Sequence, residues 1–254
     1  TTGNEVNQIA LAWMPIFSRA QNQSTYVSFL IQIDPQQLDK KKFKEVSIFG
    51  KMKGESGEED FLSSVKTEKG TEDKFLALGG VPLKAGRYTL YLGISDKDKQ
   101  IYSLLKSELD VVDFWNGQLN TSSLILSPQV VSAEKSDSEA GFNPFLIGEY
   151  KAFPRWGNVF RQSEYLNVLF QIYNAQLENG AVSLVIEYFV ISPQVGYKLN
   201  PQEIKEKIEP EKALAGGTQI PLEPLKPGKY TFKIKITDKI ANKSIEKSAD
   251  FTVE

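Results

Sequence analysis

Apolar and polar residues alternate along four segments of this chain, which is the pattern of β-strands that bury one face. Because successive strand side chains point to opposite sides, each segment places an apolar row against a core and a polar row in water. The apolar rows are Val27, Phe29, Ile31, Ile33; Tyr88, Leu90, Leu92, Ile94; Leu166, Val168, Phe170, Ile172; and Tyr230, Phe232, Ile234, Ile236.

Further short apolar runs lie between Gly, Pro, Asn and Asp turn signals. They predict strands at 46–52, 61–67, 101–105, 109–112, 182–191 and 251–253. Many short strands without long helical periodicity indicate an all-β protein built from sandwiches of the immunoglobulin or fibronectin type III kind.

The chain contains the same strand pair twice. Residues 83–97 match residues 225–239 without a gap, and residues 23–33 match residues 162–172 in the same way. A repeat of this length indicates tandem domains rather than solenoid units. The predicted organisation is a β-sandwich over 1–113, a short linker over 114–121 and a second sandwich over 122–254.

The repeated Gly-x-Tyr of the first match predicts a structural role for four residues, Gly86, Tyr88, Gly228 and Tyr230. The glycine allows a tight turn, and the tyrosine enters the next strand. A buried tyrosine needs a partner for its hydroxyl, which the turn backbone can supply, as in the tyrosine corner of immunoglobulin-like sandwiches.

One short helix is predicted at 201–208, inserted in the second sandwich. Asn200 is a helix-capping residue, Pro201 suits the first helical position, and Glu203 completes a capping pattern. Ile204 and Ile208 are four residues apart, which gives such a helix one apolar face.

The amino-acid composition excludes more kinds of catalytic and cofactor chemistry than the net charge does. The chain has no His and no Cys, which removes disulfides, thiolate nucleophiles, the usual zinc ligands and every His-based catalytic pair. We therefore expect no enzymatic activity and no cofactor.

Charge and hydropathy also limit the partners. A net charge of −2 argues against nucleic acid, and the basic run at Lys40–Lys42 and Lys44 is interpreted as a solvated loop. No segment reaches the roughly 20 apolar residues that span a bilayer, so no membrane insertion is expected.

Six aromatic residues lie within residues 142–160. Tyr150, Phe153 and Trp156 form the candidate binding surface, a platform for a protein or for sugar rings. In the alternative interpretation, the rings of this segment fill the start of the second core and the junction with the first domain.

Two acidic patterns are weaker candidates. Asp96, Asp98 and Gln100 present alternating oxygens of the kind that bind calcium, although no glycine and no closing Glu follow, so a solvated hairpin is favoured. Acidic clusters at 58–60 and 137–139 offer paired carboxylates for glycoside hydrolysis, but nothing in the sequence suggests a cleft.

The junction between the copies carries Val111-Val112-Asp113-Phe114 and then Leu124-Ile125-Leu126-Ser127. Together with the Gly-x-Tyr strands, this resembles the tandem β-sandwich C-terminal regions of bacterial exported proteins with von Willebrand factor A-like or GWxTD-type domains. The resemblance implies a non-catalytic, extracytoplasmic module, periplasmic or secreted, whose partner is a protein. The chain has no Asp-x-Ser-x-Ser or Gly-Trp-x-Thr-Asp motif of those N-terminal domains.

Overall fold

The computed structural model describes residues 11–33, 45–55, 57–66, 75–95, 101–134, 143–193 and 196–254. The chain divides into two compact units, Thr1–Asp113 and Phe114–Glu254. Nearly all regular structure in the described part is β-strand, which confirms the predicted all-β sandwich class.

The described part of the first unit forms two antiparallel sheets from seven strands. The strands are β1 (Leu11–Arg19), β2 (Thr25–Ile33), β3 (Glu45–Gly54), β4 (Gly57–Lys66), β5 (Phe75–Leu83), β6 (Gly86–Ser95) and β7 (Ile101–Val111). Their hydrogen-bonded orders are β1-β2-β5 and β4-β3-β6-β7. Three strands facing four in this way make a sandwich of the predicted kind.

The core of the first unit lies between these sheets. Its apolar rows come chiefly from β2 and β6, as the alternation predicted, and Phe29 and Leu90 are completely buried. Burial of these rows is the main favourable term for such a fold, because each large apolar side chain removed from water contributes about 1.5–3 kcal/mol.

The second unit repeats this plan with more strands. They are β8 (Asn120–Thr121), β9 (Ile125–Ser127), β10 (Gln129–Ser132), β11 (Leu146–Ile147), β12 (Tyr150–Phe153), β13 (Val159–Phe160), β14 (Tyr165–Tyr173), β15 (Ala181–Ile191), β16 (Gly196–Lys198), β17 (Gln202–Lys207), β18 (Leu214–Pro221), β19 (Gly228–Asp238) and β20 (Lys243–Val253). One large sheet is β18-β14-β8, with β9 also paired to β14. The other is β13-β20-β19-β15-β16, with β17 also paired to β15.

The second core lies between these large sheets and again follows the predicted alternation. The fully buried rings of Phe170 on β14 and Phe232 on β19 belong to it, together with the apolar face of β15. Phe160 also joins this core, at the end of the aromatic segment.

The second unit has a small third sheet that has no counterpart among the described residues of the first unit. In the first unit a turn over residues 20–24 joins β1 directly to β2. In the second unit, residues 128–158 intervene at the corresponding place, and we call them the insertion. The insertion contains the small sheet β10-β12-β11 and a 3-10 turn, Trp156–Asn158.

The repeated Gly-x-Tyr residues have equivalent geometry in the two units. The Tyr88 hydroxyl donates a hydrogen bond to the Lys84 carbonyl at 3.0 Å, and Tyr230 donates to the Lys226 carbonyl at 2.8 Å. The preceding Gly86 has a φ of 148°, a value that residues with a side chain rarely adopt. Each tyrosine therefore ties the start of its strand to the turn before it.

The helix predicted at 201–208 is wrong, because Gln202–Lys207 is strand β17. This segment pairs with the edge of β15, where Leu184 lies opposite Ile204. A helix of so few residues is marginal in water, whereas the long strand β15 offers a row of backbone partners. The half-buried Ile204 packs against the second core, as one row of an alternating strand.

The residues predicted as a linker, 114–121, lie within the second unit. Phe114 is completely buried there, with its ring centroid 5.0 Å from that of Tyr173. Asn120–Thr121 form β8 and pair with the end of β14.

Candidate functional site

Strand β18 is an edge strand, and the direction of its backbone groups follows from its neighbour. The Ser122 N–H donates to the Gln171 carbonyl at 3.0 Å, so the backbone of Gln171 faces away from β18. Gln171 lies opposite Ala215 in the antiparallel ladder, and such a pair points its backbone groups outward on both strands. The N–H and C=O groups of Ala215, Gly217 and Gln219 therefore face the open edge.

A groove of about 620 Å³ follows this edge, and we call it the edge groove. Residues 215–219 of β18 line it, together with Asn167 and Leu169 of β14 and with Gln202 of β17. The insertion supplies the other wall through residues 130–132, Ile147 and Tyr150. The groove is lined by β18 residues whose side chains point toward the core and by β18 residues whose side chains point outward. It therefore includes the open edge of this strand.

All lining residues of the edge groove are uncharged, in a chain with 24% charged residues. Its volume lies in the range of small-ligand and peptide pockets. Its exposed apolar wall is formed by Tyr150, which is 50% exposed, and Val131, which is 36% exposed. The edge groove thus combines an apolar wall with backbone groups and neutral amides.

Two consecutive glycines shape the β18 side of the groove. A Cβ at Gly216 would lie 2.5 Å from the Phe170 ring, and a Cβ at Gly217 would lie 2.6 Å from the Val168 carbonyl oxygen. Only glycine fits at these two positions without a shift of its neighbours. Neither glycine was predicted from the sequence, although a Gly-Gly pair within a strand-like run indicates close approach of other groups.

A chain of amide hydrogen bonds lies at one end of the groove. The Gln219 side chain donates to Asn167 Oδ1 at 2.8 Å, and Asn167 Nδ2 donates to the Ser127 carbonyl at 3.1 Å. Asn167 is buried, so these bonds satisfy a polar group that would otherwise be costly.

The structure separates the three predicted aromatic site residues. Tyr150 lies in the edge groove, whereas Phe153, which is 45% exposed, is three residues along β12 and so on the opposite face of that strand. The side chain of Trp156 lies outside the described residues, as does Phe142. Phe145 and Phe160 are buried, so the segment divides between core and surface.

Two sets of contacts fix the insertion to the sandwich. The Ser127 hydroxyl accepts a hydrogen bond from the Phe153 N–H at 3.0 Å. The Arg155 guanidinium donates to both oxygens of Glu164, each at 2.7 Å. These bonds from Arg155 hold the pKa of Glu164 below its usual range, although partial burial opposes the shift.

A second depression of about 570 Å³ lies elsewhere on the second unit. Lys229 and Asp250 line it, together with Gly157 of the insertion and Ile191 at the end of β15. The Thr231 hydroxyl donates to Asp250 Oδ1 at 2.7 Å. This depression is open and charged, and its Asp250 side chain already has a partner in Thr231.

The described acidic cluster at 58–60 is exposed and lies on strand β4. Glu58 forms ion pairs with Lys51 and Lys53, each at 3.1 Å, and these hydrogen bonds lower the pKa of Glu58. A general acid needs the opposite shift. The residues 137–139, the calcium candidates Asp96, Asp98 and Gln100, and the basic run at 40–44 lie outside the described residues.

The described residues contain neither a cluster of metal ligands nor a membrane-spanning helix. Within those ranges, no group of three or more Asp and Glu side chains is placed to hold a metal ion. No helix in the same ranges has the length and apolar character needed to cross a membrane.

Comparison with known proteins gives matches among solved structures alone. No protein-family model and no curated protein matches it. Among solved structures, the transglutaminase of red sea bream matches over 98% of this chain and 32% of that chain, with 9% identity and a TM-score of 0.28. The chain thus spans about a third of that protein's length.

Proposed function

We propose that this chain is a non-catalytic protein-interaction module of a larger exported bacterial protein, with the edge groove as its binding surface. The observation that carries the proposal is the edge groove itself, where open backbone groups of β18 adjoin the exposed side chains of Tyr150 and Val131. Exposed apolar side chains beside unpaired backbone groups are what protein partners cover.

The state of the acidic side chains supports a non-catalytic role. Glu164 and Glu187 each have a lowered pKa because a cationic partner, Arg155 or Lys198, bonds to the carboxylate. Carboxylates held ionised in this way stabilise structure and are poor proton donors near neutral pH.

The exported setting rests on the sequence resemblance. The Val-Val-Asp-Phe junction lies where β7 ends at Val111 and the second unit begins at Phe114. We propose on this basis that the module works outside the cytoplasm, with its partner in the cell envelope or in the same full-length chain.

Retention by the immobilised full chain tests the proposal. Cell-envelope extract of the producing organism is passed over the wild type, over Val131→Glu in the edge groove, and over the matched surface variant Lys205→Glu on β17. We expect a protein that is retained by the wild type and the β17 variant and lost from Val131→Glu. Equal retention by all three would contradict a role for the edge groove.

A carbohydrate-binding module is the second candidate, and the exposure of Tyr150 and Phe153 is the observation that favours it. A flat sugar platform needs its rings on one side, whereas these two residues lie on opposite faces of β12. Affinity electrophoresis in gels that contain neutral polysaccharides discriminates the two candidates. Retardation that Tyr150→Ala abolishes would favour sugar binding over protein binding.

A further inference from the structure

We infer that the edge groove binds an uncharged, extended peptide segment, which pairs with β18 as an additional strand of the sheet; this inference rests on the proposed function and specifies its partner. The backbone supplies the first argument. Ala215, Gly217 and Gln219 direct their N–H groups to the open edge, and no strand in the described part of the chain pairs with them there. A peptide in strand conformation is the ligand that such a row of groups recognises.

The site has one defined end. Pro221 lies at the end of β18 and has no N–H to donate, so pairing stops there. The Tyr188 hydroxyl lies 2.6 Å from Gln202 Oε1 and 3.1 Å from the Gly217 carbonyl oxygen, so its one proton is shared between these two acceptors. An added strand can bond to the N–H groups of residues 215, 217 and 219 and donate its own N–H groups to the carbonyls of Ala215 and Gln219, and it spans about five residues.

The chemistry of the lining selects a neutral peptide. No lining side chain carries a charge, so a buried Lys, Arg, Asp or Glu of the ligand would lose its hydration without gaining a partner. Neutral polar side chains, in contrast, can bond to the amides of Gln202 and Gln219.

The wall of the insertion gives the peptide side chains a place to bind. Alternate side chains of an added strand point to the outer side of the sheet, where Tyr150 and Val131 are exposed. Leu169 already fills the space over Gly217, so an apolar residue of the peptide packs against Tyr150 and Val131 themselves.

Peptide titration of the full chain tests the inference. The probe is a capped heptapeptide of alternating threonine and valine with a central phenylalanine, and binding is measured by calorimetry. Two further peptides are N-methylated at alternate backbone nitrogens. One carries the methyl groups at its odd-numbered residues and the other at its even-numbered residues, so each blocks one edge of the peptide strand. We expect one N-methylated register to bind about tenfold more weakly or worse, because it loses several hydrogen bonds of about 0.5–1.5 kcal/mol each, while the other register binds as the parent does.

A pair of protein variants completes the test. Ala215→Pro removes one edge N–H and leaves the bonds from β18 to β14 intact, whereas Ala215→Ser retains that N–H. We expect weaker binding for the proline variant alone, with both variants folded by circular dichroism.

The outcomes separate this inference from the proposed function. No binding of the parent peptide, equal binding of both N-methylated registers, or displacement by a neutral oligosaccharide would overturn strand addition. If the envelope protein is still lost from Val131→Glu and retained by Ala215→Pro, strand addition is wrong while the protein-interaction role stands.

Discussion

The corresponding edge strands of the two sandwiches, β5 and β18, have different surroundings. In the first unit, the Tyr26 side chain crosses β5, and its hydroxyl donates to the Gly80 carbonyl at 3.2 Å. A Cβ at Gly80 would lie 2.7 Å from the Tyr26 ring, so the ring packs directly on this glycine. The corresponding residue of the second unit, Tyr165, is 51% exposed.

This difference shows how one fold acquires a surface feature without a change in its core. Pro82 and Pro221 lie opposite Tyr26 and Tyr165 in the two ladders, so the edge strands correspond residue by residue. The first unit covers its edge with a neighbouring ring, whereas the second places an insertion beside its edge and leaves a groove between them. Function is often located in such additions to a shared scaffold.

The largest expected effects come from the part that the units share. Phe29→Ala and Phe170→Ala each remove a completely buried ring, one from each core. We expect each to lower the free energy of unfolding of its own unit by about 3–5 kcal/mol, measured by urea denaturation. A loss below about 1 kcal/mol at either position would mean that this ring does not belong to a tightly packed core.

The repeated tyrosines should give a smaller, matched pair of effects. Tyr88→Phe and Tyr230→Phe each remove a hydroxyl that donates to a carbonyl four residues upstream. We expect each substitution to cost about 1–2 kcal/mol of unfolding free energy, because the carbonyl loses its partner near the core. Values that differ severalfold between the units would contradict the equivalence of these turns.

The sequence predicted what the units share better than what separates them. The buried rows of β2, β6, β14 and β19 followed from strict alternation, since burial of one sheet face imposes a period of two. Within the insertion the strands have only two to four residues, too few for a period to be recognised.

Two further differences between the sequence-based predictions and the structure have physical reasons. Capping signals at Asn200 and Pro201 predicted a helix, but backbone pairing along β15 outweighed these local preferences. The edge groove was not predicted, because it depends on how the insertion meets Gly216 and Gly217, which are far from it in sequence. Tyr150, which the density of aromatic residues made a candidate, lines the edge groove.

The ion pair that anchors the insertion gives the smallest expected effect, and that effect depends on pH. The lowered pKa of Glu164 means that its pair with Arg155 stabilises the second unit above the unfolded pKa of about 4.3 and that this contribution is lost as the pH falls through the folded value. We expect Glu164→Gln to cost about 1 kcal/mol at pH 7 and almost nothing below about pH 3.

An ion pair of the first unit provides the control for this measurement. Arg87 and Asp110 also form a hydrogen-bonded pair, at 3.1 Å, but both side chains are more than three-quarters exposed. Asp110→Asn should leave the unfolding free energy unchanged within error, because water and salt screen such pairs. An equal cost for both substitutions would show that the Glu164 pair does not anchor the insertion.

Amide hydrogen exchange at the two edge strands tests the central claim most directly. Exchange of the full chain is followed by nuclear magnetic resonance with and without the saturating threonine–valine peptide. The account predicts that the peptide slows exchange at Ala215, Gly217 and Gln219 and leaves Gly80 of the first unit unchanged. Unchanged exchange at all three β18 amides, or equal slowing at Gly80, would contradict it.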